Sequence, residues 1–253
     1  MPLKKEQLID ISFKSDGLVL RGTLHLPVTA SPPVVVGSHG LFANRNSPKQ
    51  VALARACNAL GIAFFRFDHR GCGSSQGRFE EVTSLEARCT DLKNAVEMLG
   101  KRNEIGEAIG LFGSSMGGTV CLSSAPGLEI SAVVTFAAPL RSHVAEKRPG
   151  TSNRPSTPTP GIFLDAQKTN FDISANLSAV SNILVIHGER DETVPVSHAE
   201  EIHRLAAAPK KLIIQHHGDH RMSNEDHQNQ FIRDACRWFE SGLRDGKIIR
   251  SAK

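Results

Sequence analysis

Residues Ile109 to Gly118 read IGLFGSSMGG, the latter part of an apolar run running straight into a Gly/Ser turn. The run starts at Ala108 and closes at Phe112, and Thr119-Val120-Cys121-Leu122 beyond the turn suits a helix. Gly113, Ser115 and Gly117 fill the pattern G-x-S-x-G, and Ser115 alone has glycine at both required positions. A serine on a sharp strand-to-helix turn takes a strained backbone, and its neighbours must lack bulk so that strand and helix can close around it. Its hydroxyl then stands proud of the sheet edge at a helix N-terminus, where outward N–H groups can stabilise a developing oxyanion. Ser115 is therefore the candidate nucleophile. The bland alternative is a turn with a capping serine, a common use of Ser and Gly between strand and helix.

The flanking chain supplies the sheet that such a turn needs. Gln7 to Lys14 and Leu18 to Leu26 alternate apolar and polar residues around Asp16-Gly17, which predicts an antiparallel hairpin with one buried face. Val34-Val35-Val36, Ile62 to Phe67, Ala132 to Phe136 and Ile183 to Ile186 are short continuous apolar runs, as strands covered on both faces would be. Helices are expected between them: Pro48 to about Leu60 with Ser47 as cap, and about Ser84 to Arg102 with Leu85, Leu92, Val96 and Leu99 along one side. Ser197 should cap a helix to about Ala208, Lys211 to Gln215 reads as a last strand, and Asn224 to Glu240 as a last helix. The alternation implies an α/β fold: a mostly parallel central sheet, an N-terminal antiparallel hairpin, and helices on both faces. It breaks only between about 139 and 180, where Pro149 to Gly161 carries four prolines and reads as an exposed lid or loop insert in a single domain spanning 1–253. Phe163, Leu164 and Phe171 could anchor that lid over a pocket or pin the loop to the core.

Composition narrows the function. Of 253 residues 40% are hydrophobic and 22% charged, and the net charge of +4 is spread thinly, without aromatic residues interleaved among the basic ones. That describes a solvated surface and no nucleic-acid face. Five widely spaced cysteines without C-x-x-C argue against a disulfide framework or structural zinc, and for a reducing compartment. Neither a signal-peptide core nor a membrane-length apolar run is present, so a cytoplasmic protein is expected.

Ligands of an open parallel sheet sit beyond the carboxyl ends of its strands. This chain places His39-Gly40-Leu41, Ser115-Met116, His187 to Asp191 and His216 to His220 there. A serine hydroxyl needs a base to take its proton; histidine suits that task near neutrality, and a carboxylate fixes the histidine tautomer.

These segments resemble the α/β-hydrolase fold superfamily over nearly the whole chain. GSSMGG matches its nucleophile elbow, SHGL its oxyanion loop and FDHRGCGSS a turn common there, while HGERDETVP matches the acid loop and GDH the histidine loop. The resemblance implies Ser115 as nucleophile, Asp191 as acid and His220 as base, with backbone amides of Leu41 and Met116 forming an oxyanion hole. Within the superfamily the segments are most similar to small cytoplasmic carboxylesterases, including feruloyl-esterase-like and serine-aminopeptidase-like members. The implied activity is hydrolysis of small-molecule carboxylic esters with small to medium acyl groups, without a cofactor or metal. Thioesters, short-peptide amides, or non-catalytic binding on the same fold are the alternatives.

Other residues compete for these roles. Glu189, Glu192 and Asp219 compete with Asp191 for the acid, the first two beside it in sequence and Asp219 beside His220, and His216 and His217 compete with His220 for the base. His39 either bonds the oxyanion loop or contacts substrate, and Asp68 and Arg70 are expected to hold their own turn. His216, His217, Asp219 and His220 could be imagined as metal ligands, without metal-like spacing elsewhere. A histidine base predicts kcat/KM rising through about pH 6 to 7.

Overall fold

The computed structural model describes residues 7–142 and 170–244. β1 (Gln7–Ser15) and β2 (Leu18–Leu26) form the expected hairpin. Asp16 and Gly17 both take positive φ, 45° and 81°, the turn geometry whose twist matches that of the strands it joins. β2 then pairs antiparallel with β4 (Ala63–Phe67). β4 lies parallel to β3 (Val34–Ser38), and the parallel ladder continues through β5 (Ile109–Ser114), β6 (Ala132–Phe136), β7 (Ile183–Gly188) and β8 (Lys210–Gln215). The order across the sheet is β1-β2-β4-β3-β5-β6-β7-β8. β3 to β7 are buried along their full length, which explains why they read as continuous apolar runs.

Side chains alternate between two cores. From β3, Val34 and Val36 face α3 (Leu85–Gly100), α4 (Met116–Ser124) and α5 (Ser197–Leu205), while Val35 faces α1 (Pro48–Ala59) and α6 (Glu225–Arg244). A four-residue helix, α2 (Phe79–Val82), precedes α3 and was not expected; it is too short to carry an apolar period.

Four helix ends differ from expectation. Ser84 caps α3 by accepting from the Ala87 amide, but Ser47 stands at the cap of α1 without such a bond. Ser197 is the first residue of α5 and not its cap, and the helix stops at Leu205. There Lys210 Nζ donates to the carbonyls of Arg204 (3.1 Å) and Ala206 (2.7 Å), and the chain extends toward Pro209. α6 runs on to Arg244 because Phe239 and Leu243 continue its buried stripe. Of the expected 139–180 insert, the described ends are tied together: Arg141 bridges Asp172, and a short 3-10 helix, Ser174–Ala179, buries Leu177. Phe163, Leu164 and the proline-rich stretch lie outside the described residues. No helix among the described residues is long and apolar enough to cross a membrane.

Candidate active site

β5 delivers Ser115 to the sheet edge in a conformation few side chains adopt, φ 54° and ψ −129°. The glycines around it are sterically required. A Cβ on Gly113 would lie 2.3 Å from the Gly117 carbonyl oxygen, and one on Gly117 would lie 2.1 Å from that of Ser38. The Ser115 amide donates to the Phe136 carbonyl (2.8 Å), pinning the turn to β6, and its hydroxyl makes no cap bond to α4. Ser115 and His220 line one cavity of about 540 Å³, together with Leu41, Phe42, Lys49, Met116, Pro139, Glu192, Val194 and Arg221. Among the described residues the amides of Leu41 and Met116 have no hydrogen-bond acceptor. A second hollow of about 570 Å³, lined by Gln7, residues 26–31 and Glu104, lies at the opposite, N-terminal ends of the strands and holds neither histidine nor cysteine.

Asp191 is separated from solvent. Its Oδ2 lies 2.8 Å from His220 Nδ1 and 3.3 Å from His187 Nε2, and its Oδ1 accepts from the amides of Thr193 (2.8 Å) and Val194 (2.7 Å). Burial alone would raise its pKa; the bonds from His187, His220 and the two amides outweigh that and hold the carboxyl well below the usual carboxylate range. The competing acids are otherwise engaged. Glu189 accepts from the His217 amide (2.9 Å) and meets His216 Nδ1 (2.7 Å), Asp219 accepts from the Ser223 amide (2.7 Å), and Glu192 accepts from the His220 amide (3.3 Å).

His39 is fully buried and lies outside the cavity wall. Its Nε2 accepts from the His69 amide (3.1 Å), so Nδ1 carries the proton and donates to the Gly40 carbonyl (2.8 Å). Burial first, then the Arg88 charge, push its pKa down, in keeping with a neutral ring that braces the loop. Phe171 packs, half-buried, against the core and does not reach the cavity. Asp68 and Arg70 hold their own turn and its neighbours: Asp68 accepts from Arg45 and from the Ser74 amide (3.0 Å), and Arg70 pairs with Asp91 (2.8 Å). Of the imagined metal ligands, His216 and His217 lie with Glu189 so that their donor atoms are within 4.8 Å of one another, all exposed; Asp219 and His220 stand apart from that group.

Several residues of the site went unread in the sequence. Arg88 is completely buried beneath residues 39–41, donating to the carbonyls of His39 (3.3 Å), Gly40 (3.3 Å) and Leu41 (3.5 Å). His187 bonds the Val194 carbonyl (2.9 Å) and so braces the Asp191 loop. Phe42, Lys49 and Arg221 line the cavity; Phe42, next to Leu41, and Arg221, next to His220, carried a positional hint, and Lys49 carried none.

The family described as serine aminopeptidase, S33, matches over residues 30–149. Mouse ABHD10, named a mitochondrial palmitoyl-protein thioesterase, is 27% identical over 215 residues, 76% of this chain and 70% of its own. Rv2307c, an uncharacterised protein of Mycobacterium tuberculosis, is 30% identical over 202 residues, 79% of this chain and 67% of its own. Est1E from Butyrivibrio proteoclasticus, solved with ferulic acid bound, has a TM-score of 0.76 at 18% identity, covering 92% of this chain and 99% of that one; likeness at this identity is likeness of fold. The chain spans as little as 57% of the length of the curated relatives it matches.

Proposed function

The chain belongs to the α/β-hydrolase superfamily, and on that premise we propose that it is a serine hydrolase cleaving small-molecule carboxylic esters of small to medium acyl groups. The observation that carries this reading is the buried Asp191 carboxylate bonded at 2.8 Å to His220 Nδ1, in a cavity that His220 shares with the strained Ser115. With Nδ1–H donating to Asp191, His220 Nε2 is left as the acceptor. It takes the Ser115 proton as Oγ bonds to the carbonyl carbon, and the oxyanion settles on the amides of Leu41 and Met116. His220 returns the proton to the leaving oxygen as the acyl–oxygen bond breaks; water then repeats the sequence on the acyl-enzyme and frees Ser115. Arg88, behind residues 39–41, fixes the carbonyls of that loop and adds positive charge behind the oxyanion.

A thioester is the second reading, favoured by the name of the ABHD10 relative, and requires only a different leaving atom. A panel of p-nitrophenyl esters of increasing acyl length tests the proposal, with butyryl-coenzyme A as the thioester arm. Ester turnover peaking at short to medium chains, and falling at least about 10³-fold in Ser115→Ala, is expected. Wild-type rates in Ser115→Ala would overturn it, and thioester turnover without ester turnover would select the second reading.

A further inference from the structure

One end of the cavity is cationic. Lys49, from the first turn of α1, and Arg221, the residue after His220, both face it, and both also line an adjoining hollow of about 270 Å³ beside Met222 and Phe231. Lys49 Nζ donates to the Arg221 carbonyl (2.8 Å) and sits 4.9 Å above the Phe136 ring, leaving two of its three hydrogens for other acceptors. Among the described residues neither cation has an ion-pair partner. The carboxylates that face Lys49 are committed elsewhere: Asp191 to His220, His187 and two amides, and Asp219 to Ser223. Glu192, also on the wall, is exposed and turned to the His220 amide. A half-buried ammonium without a counter-ion costs free energy that an arriving anion offsets.

The chemistry says which part of a substrate meets these cations. His220 must hand its proton to the leaving atom, so the leaving group departs past His220 toward its neighbour Arg221 and Lys49. Leu41, Phe42 and Val194 are left for the acyl chain. Resting on the ester-hydrolase reading, we infer that Lys49 and Arg221 form an anion subsite for the leaving group, and that the substrates are esters or thioesters whose alcohol or thiol carries a carboxylate or phosphate. The anion takes no part in bond making; it positions the leaving atom under His220.

Burial lowers the Lys49 pKa to about 8, with Asp219 and Asp191 opposing and Arg221 reinforcing the shift. The ammonium is therefore present below about pH 8 and lost above it. A preference for anionic leaving groups should accordingly be largest near pH 7 and shrink as pH rises through 8.

The test compares m-carboxyphenyl butyrate with its neutral twin m-carbamoylphenyl butyrate, and adds m-phosphonooxyphenyl butyrate to separate the two anions. At pH 7 the charged esters should have kcat/KM about tenfold above the neutral one, as a charge-assisted contact in a partly desolvated site provides. Lys49→Met and Arg221→Ser should each pull that ratio toward one. Because it is a ratio within one protein, any shared loss of folding cancels. Equal kcat/KM for charged and neutral esters, or a ratio indifferent to both substitutions and to pH, would overturn the subsite. If none of the esters is turned over, the ester-hydrolase reading fails by itself. Calorimetric titration with benzoate against benzamide then decides the subsite: benzoate binding that Lys49→Met removes supports it, and no difference between the two ligands overturns it.

Discussion

Among the described residues Arg88 is the largest fully buried side chain, and no carboxylate of theirs lies within ion-pair distance of it. Burying a guanidinium in this way costs stability that its hydrogen bonds must offset; its two terminal nitrogens donate to three consecutive carbonyls of the loop that presents the Leu41 amide, while Nε has no partner. Holding those carbonyls inward holds the peptide planes, and so aims the amides outward. Replacing Arg88 by Met keeps the stem and removes both donors and charge. The expected result is a fall in kcat of about 10- to 100-fold with KM changed much less, since the lost stabilisation belongs to the oxyanion. A folded Arg88→Met with wild-type kcat would remove Arg88 from the account. Arg88 was in fact legible: it falls on the stripe of α3 that also carries Leu85, Leu92, Val96 and Leu99, and an arginine in that position is a buried arginine. Lys49 was not legible, because its neighbour Arg221 is remote in sequence and only the fold brings the two together.

Among elements, the turn joining β5 to α4 is the tightest glycine packing among the described residues. Gly117 abuts the end of β3 so closely that a methyl group would lie 2.1 Å from the Ser38 carbonyl oxygen, and backbone cannot yield as a flexible side chain can. Gly117→Ala should therefore lower stability by about 1–3 kcal/mol and displace Ser115, reducing ester turnover as well. A thermal midpoint and activity both equal to wild type would contradict this packing. The same crowding explains why G-x-S-x-G could be read without a structure: sterics dictate the residue types. Strand interiors were equally legible, because β3 to β7 lie between two helical layers and are built mainly from apolar side chains. Helix ends were not. α5 ends where Lys210, five residues further on, supplies a donor to its last carbonyls, and α2 has too few residues to show any period.

At the scale of the molecule, the strand order makes the site. With β3, β5, β7 and β8 parallel in one sheet, the segments carrying Leu41, Ser115, Asp191 and His220 all emerge at the same edge, however far apart they lie along the chain. Five short segments, each weak alone, became informative in the sequence because the expected strands ordered them on that edge. The polarity of the cavity wall was beyond such a reading, since it is assembled from α1, the loop after β3 and the loop after β8. The central claim, that this edge activates Ser115, is tested most directly by labelling with a fluorophosphonate probe and mapping the modified peptide by mass spectrometry. One adduct is expected, on Ser115, absent from Ser115→Ala and retained in Ser114→Ala; equal labelling of the two variants would rule out Ser115 as the nucleophile.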